Sequence, residues 1–366
     1  MEQEKRRIDE MDALSLNKLE NHKIKYLTFS NKDGKQWSIP IKNMRVALEL
    51  YEPSGLKGKM LKKILPLIAK IGVGKFILHG SNSSIKISRN LKELLVMCFG
   101  EQWEFSVFWG TPCVDQKITI QIYNGKEILG YCKIGNSEQI EKLFKHEKNI
   151  LDLLEQKGIR NVPRALVVEK VSDEYWAFVQ STEKVQGART EHNYNEKQRC
   201  FIEKLWRETR KTLPFEETDY YQSLVLLEEH LYLIDKEYRE IVKETLYHIK
   251  KLYKDRLVEW GMCHRDFTPW NTCVIEDELF VFDFEYALKH APKEIDKWHF
   301  FVQTKCFECK YSMEQIAKIY SALDDKNNVL MKCYLLDIIS LYLLRNSEMD
   351  RKIANERAEL LYLIMK

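Results

Sequence analysis

The 366-residue sequence predicts an α+β protein in three stretches: an N-terminal α/β extension over 1–102, a small β-rich segment over 103–183 and a larger helical segment over 184–366. Three observations carry that reading. β-prone runs crowd into 103–183 with one amphipathic helix among them. From about residue 193 the pattern turns helical, interrupted once by a short β pair at 272–285. The first hundred residues hold 19 basic and 10 acidic side chains, against 39 and 45 in the remainder, so a basic block precedes a mildly acidic body. The chain as a whole carries only +3, with 45% hydrophobic and 31% charged residues, which excludes disorder and argues against a bulk nucleic-acid binder.

Within the extension, Tyr26–Phe29 and Trp37–Ile41 read as strands around a turn at Asn31–Gly34. Residues 57–70 are basic and apolar without an acid, and suit either a solvated helix face packed on the body or, carried through 57–75, a peripheral membrane or anionic-substrate contact. Pro66 argues against a long uninterrupted helix there. The β-rich segment offers strands at Glu104–Trp109, Ile118–Tyr123, Ile128–Ile134, Ala165–Glu169 and Trp176–Gln180. Residues 137–157 form a helix between Ser137 and Gly158, with Ile140, Leu143, Phe144, Ile150, Leu151 and Leu154 on one stripe. A second helix over 237–258 has Val242, Leu246, Ile249 and Tyr253 at core spacing.

The nine cysteines are scattered and odd in number, as reduced cytosolic thiols are, and Cys306-x-x-Cys309 lacks the second pair that zinc would want. The start is too charged for a secretory signal, and the apolar run Val329–Leu344 is short and carries Lys332 and Asp337. A soluble cytoplasmic protein is expected.

Chemistry concentrates in His264-Arg265-Asp266-Phe267-Thr268-Pro269-Trp270-Asn271 and the following Asp283-Phe284-Glu285. Apolar runs at Thr272–Ile275 and Leu279–Phe282 flank a turn at Glu276–Glu278. A hairpin centred on Asp277 sets Asn271 and Asp283 opposite each other at its open end, an oxygen site suited to Mg²⁺. Asp266 lies on the loop just before it, placed to act as a base, which is the apparatus of phosphoryl transfer. Upstream, Glu147 falls inside the apolar stripe of its helix, where a carboxylate is costly unless a cation meets it. Lys133, in the preceding strand, is the candidate, and its ammonium would reach nucleotide phosphates. A phosphate-covering loop would be Trp109-Gly110-Thr111-Pro112-Cys113, although Gly110 is its single glycine.

These residues resemble the aminoglycoside phosphotransferase and choline kinase family, over roughly residues 103–305. The resemblance implies a protein-kinase-like bilobal fold, with Asp266 as catalytic base, Asn271 and Asp283 holding Mg²⁺, and Lys133 with Glu147 orienting ATP, GTP being the other admissible nucleotide. It also implies an adenine-binding hinge at Thr182-Glu183-Lys184-Val185-Gln186-Gly187, and a brace for the catalytic loop in Asp296. Glu285 stands where protein kinases have glycine, and no Ala-Pro-Glu activation segment follows. A small-molecule kinase therefore fits better than a protein kinase or a non-catalytic pseudokinase. Residues 291–366 carry 12 basic and 11 acidic side chains, no surplus with which to hold a polycation, so a neutral or anionic hydroxyl compound such as a sugar or glycolipid head group is the expected acceptor.

Overall fold

The computed structural model describes residues 24–32, 34–53, 56–70, 81–83, 85–111, 116–324, 328–345 and 347–366. The chain divides into two units, one running to Glu155 and resuming over Arg160–Ala188, the other comprising Gln156–Ile159 and Arg189–Lys366. The first is built on a sheet and the second on helices, the two-lobed protein-kinase-like class.

The first unit contains β1 (Tyr26–Ser30), β2 (Gln36–Pro40), α1 (Met44–Ala47), α2 (Leu56–Lys70), β3 (Ser81–Ser83), α3 (Arg89–Phe99), β4 (Glu104–Phe108), β5 (Ile118–Asn124), β6 (Glu127–Gly135), α4 (Glu138–Gln156), β7 (Ala165–Lys170) and β8 (Trp176–Ser181). All eight strands join one antiparallel sheet in the order β3-β1-β2-β4-β5-β6-β8-β7. The extension thus shares a sheet with the β-rich segment, through Trp37↔Phe108 and Ser38↔Val107. Period-two alternation divides the core between the faces. Tyr26, Ile118, Ile120 and Ile122 pack with Leu91, Leu94 and Leu95 of α3. Leu27, Phe29, Trp37 and Ile39 pack with Met44, Val46 and Leu48. Two buried hydrogen bonds join the extension to its neighbours: Trp109 Nε1 donates to Ser38 Oγ (2.8 Å) and Gln121 Nε2 to the Val46 carbonyl (2.9 Å).

Helix α2 continues through Pro66, burying Leu65 and exposing Met60, Ile64 and Leu67. The remainder of the 57–75 contact, residues 71–75, lies outside the described residues, as do Pro112 and Cys113 of the loop after β4.

In the second unit, α5 (Glu196–Thr209) precedes helices α6 (Asp219–Glu229), α7 (Lys236–Tyr253), α8 (Ile295–Gln303), α9 (Met313–Ser321), α10 (Asn328–Arg345) and α11 (Glu348–Met365), which surround a common apolar core. Helix α10 packs against α6, α8 and α11 and buries nearly all of Met331–Leu343, which is why its sequence is apolar on every side. Two small sheets carry the loops of interest. β9 (Lys211–Pro214), β10 (Leu257–Cys263) and β13 (Leu288–Ala291) form one in the order β13-β10-β9, and β11 (Thr272–Ile275) pairs with β12 (Glu278–Val281).

The three-stranded sheet corrects the sequence reading, in which the only β structure after residue 193 is the hairpin. The helix expected to reach 258 stops at Tyr253, and Leu257 already belongs to β10. Two of its strands have only four residues and all three pair across distant sequence, which leaves too little local periodicity to be seen. Among the described residues no helix is long and apolar enough to cross a membrane.

Candidate active site

Strand β10 delivers His264, Arg265 and Asp266 from the interior. Arg265 has φ +67°, a region that a non-glycine residue occupies only when its surroundings hold it there. The holding groups are explicit. The Asp296 carboxylate, near the start of α8 and 2% exposed, accepts the backbone N–H groups of His264 and Arg265, both at 2.8 Å. Burial pushes the Asp296 carboxyl above the ordinary range, opposed by His264 and by those two bonds. The His264 ring donates Nε2–H to the Phe282 carbonyl (2.9 Å) and accepts the Asp266 N–H at Nδ1 (3.2 Å), which fixes its tautomer.

Asp266 is held at both oxygens. Asn271 Nδ2 donates to Oδ2 at 2.8 Å and to the Asp266 carbonyl at 3.0 Å, while His299 Nε2 lies 3.2 Å from Oδ1. Its carboxylate is about a third exposed, whereas the His299 side chain is 1% exposed. A carboxylate fixed on two sides with solvent access on a third can orient an incoming hydroxyl and take its proton.

The hairpin register differs from the expected one. Thr272 pairs with Val281 and Ile275 with Glu278, leaving a two-residue turn at Glu276 and Asp277 with φ of +47° and +70°. Both central residues have positive φ, as in the hairpin turn whose twist matches its strands, but neither is the glycine or asparagine that usually announces it. Centring the turn one half-residue earlier brings Asn271 opposite Phe282, whose N–H it accepts at 3.0 Å. Asp283 sits one residue beyond, at φ +73°. Its carboxylate and that of Glu285 have oxygens within 4.8 Å of each other. With its amide nitrogen committed to Asp266, Asn271 keeps its side-chain oxygen as an acceptor, and together with the Asp283 and Glu285 carboxylates it makes this end of the hairpin rich in hard oxygen donors of the kind Mg²⁺ takes.

In the first unit the expected ion pair forms. Glu147, fully buried within its stripe, receives Lys133 Nζ at 2.7 and 3.0 Å. Ser137 Oγ accepts the Ile140 N–H (3.1 Å) at the start of α4, which sets that helix's phase. Gly110, after β4, has φ +86°, and a Cβ there would lie 2.3 Å from the Lys117 carbonyl oxygen, so only glycine fits this turn. In the 182–187 segment Thr182 Oγ1 accepts the Lys184 N–H (3.0 Å), Lys184 pairs with Glu52, and the Gly187 N–H meets Glu49 Oε1 (3.3 Å). Val185 is half-exposed.

No family model matches the chain, and no curated protein matches it by sequence. Solved structures do match it by shape. A thermostable mutant of an aminoglycoside phosphotransferase, in ternary complex with AMP-PNP and hygromycin B, superposes with a TM-score of 0.50 at 12% identity, over 75% of this chain and 98% of that one. The fold is that of the aminoglycoside phosphotransferases. A protein from Haemophilus somnus described as a fructosamine-3-kinase aligns at 0.45 and 13% identity, over 74% of this chain and 96% of that one. A spectinomycin phosphotransferase in complex with ADP and spectinomycin aligns at 0.45 and 13%, over 76% and 97%.

On this fold, three residues around the Arg265–Asp266 loop are given no role at the site by the sequence reading. His299 is one. The others anchor Arg265: Asp337 of α10 takes its guanidinium at Nε and Nη2, both at 2.9 Å, and Ser223 of α6 accepts from Nη2 (3.0 Å) while donating to Asp337 (2.7 Å). All three groups are buried. Lone polar residues in apolar helices were the available signal, since such a group is retained only when partnered. Their partners lie 42 and 72 residues away along the chain, beyond any local pattern.

Proposed function

We propose that the protein is an ATP- and Mg²⁺-dependent phosphotransferase that moves the γ-phosphoryl group to a hydroxyl of a small molecule. The observation that carries this reading is Asp266, gripped at both oxygens on a loop whose strained backbone is clamped by Asp296. Asp266 accepts the acceptor hydroxyl, aligns its oxygen with the γ-phosphorus and takes the proton as the new P–O bond forms and the bond to the ADP leaving oxygen breaks. Asn271 and Asp283 would hold Mg²⁺, which supplies charge neutralisation on the phosphates. Lys133, kept extended by Glu147, would meet the phosphates, Gly110 would let backbone approach them, and Thr182, Glu183 and Val185 would line the base. The nucleotide analogue in the matching phosphotransferase structure supports the reading.

For the acceptor we favour a neutral or anionic sugar-like compound over a polycation. Trp270, adjacent to Asn271, is 37% exposed and meets the half-exposed Phe307 edge to face, with Lys310 over the Phe307 ring. The aromatic faces suit the C–H face of a sugar ring, and the Lys310 ammonium beside them repels a polycation. Incubation with radiolabelled ATP and Mg²⁺ over a library of hydroxyl compounds tests the whole reading. Label transferred to a small molecule is the expected result. Label on an added polypeptide would make it a protein kinase, and nucleotide binding without turnover on any acceptor would make it a binding protein.

A further inference from the structure

We propose that the N-terminal extension is part of the nucleotide site, with Glu49 and Glu52 acting as positioning residues for the 182–187 segment. The inference rests on the reading above, in which that segment takes the nucleotide base. Glu49 follows α1 on a short 3-10 turn (Leu48–Leu50) and is 8% exposed. A carboxylate so buried is costly unless its oxygens are used. Both are: Oε1 accepts the Gly187 N–H at 3.3 Å and Oε2 takes Lys62 Nζ of α2 at 3.2 Å. Three residues on, Glu52 pairs with Lys184, itself 8% exposed. Two carboxylates close together in the extension thus hold two points of the same short segment, from more than 130 residues away in sequence.

The support beneath them is rigid. The carbonyl of Val46, three residues before Glu49, is bonded to Gln121 of β5, and β2, just before α1, is paired with β4. The segment is otherwise a strand-to-loop connection after β8, of the kind that stays mobile unless tied down. Tying it to the sheet through side chains lowers the ordering cost when a nucleotide binds, an effect that falls on nucleotide affinity and not on the transfer step.

The test uses the full chain. Affinity for Mg·AMP-PNP, nucleotide KM and kcat are measured for Glu49→Ala, Glu49→Gln and Glu52→Gln, with thermal stability recorded without nucleotide. Glu52 is 42% exposed, so its substitution leaves a folded protein even if Glu49→Ala does not. Loss of one tie is expected to weaken Mg·AMP-PNP binding and raise nucleotide KM about tenfold with kcat nearly unchanged. Glu49→Gln, which keeps an oxygen for the Gly187 N–H, should recover part of the loss seen with Glu49→Ala. Lower thermal stability with unchanged nucleotide affinity in folded variants would overturn the inference and leave these residues purely structural. If the unsubstituted chain itself fails to bind Mg·AMP-PNP, the function reading falls first, and the inference with it.

Discussion

Asp266 receives its two side-chain donors from different distances down the chain, Asn271 five residues on and His299 thirty-three residues on. The first is written into the motif; the second is a consequence of how α8 packs. A base that must meet a hydroxyl within a few tenths of an ångström depends on both. His299→Ala should therefore lower kcat by about tenfold to a hundredfold while leaving Mg·AMP-PNP affinity unchanged, as steady-state kinetics and calorimetry would show. Arg265 is a different case. Its guanidinium makes no contact with Asp266 among the bonds it forms, and goes instead to Asp337 and Ser223. Removing one member of a buried, bidentate pair strands the other, so Asp337→Ala should destabilise the fold by about 3–5 kcal/mol in denaturant titrations.

The elements that carry these residues are tightly built where they approach the loop. Strand β10 contains Gly261, where a Cβ would lie within 2.6–2.8 Å of three Trp206 ring atoms of α5. An indole cannot yield as a flexible chain end would, so Gly261→Ala should cost about 1–3 kcal/mol and disturb the strand that delivers His264. Strand β13 is tied to the start of α6 by Asp219, which accepts the N–H groups of Lys289 and His290 (2.8 and 3.0 Å). Burial pushes the Asp219 carboxyl up, but the His290 side chain and those two N–H bonds outweigh it and hold the value below the ordinary carboxylate range. A depressed folded value contributes stability that is present above the unfolded pKa, about 3.9, and lost as the pH falls through the folded value. Acid denaturation below about pH 4 should therefore be less steep in Asp219→Asn than in the unsubstituted protein, as urea midpoints across pH 3–6 would show.

These elements also show what could be read in advance. Glu147 within an apolar stripe was enough to call for Lys133, because the cost of an unpaired buried carboxylate is large and the helix period is unambiguous. The hairpin was visible too, but its register slipped by one because Glu276 and Asp277 adopt a turn that their side chains do not advertise. The β9-β10-β13 sheet and the Arg265–Asp337–Ser223 cluster were out of reach, as both join segments that share no local pattern.

Across the whole molecule, the basic surplus of the first hundred residues belongs to an extension that supplies β1, β2 and β3 to the common sheet. It is part of the framework around Lys133 and of the contacts on the 182–187 segment. Deleting residues 1–102 would strip the partner from β4 and remove α3, whose Leu91, Leu94 and Leu95 pack with Ile118 and Ile120. The truncated chain should aggregate or lose its cooperative thermal transition, as light scattering and calorimetry would show, and a soluble, fully active truncation would contradict this integration.

The central claim, that Asp266 serves as the base of a phosphoryl transfer, is tested most directly by Asp266→Asn. That change keeps the side chain's size and removes its ability to take a proton. With the acceptor found from the hydroxyl library, kcat should fall by several powers of ten while Mg·AMP-PNP binding stays nearly unchanged. A variant that retained full turnover would contradict the account.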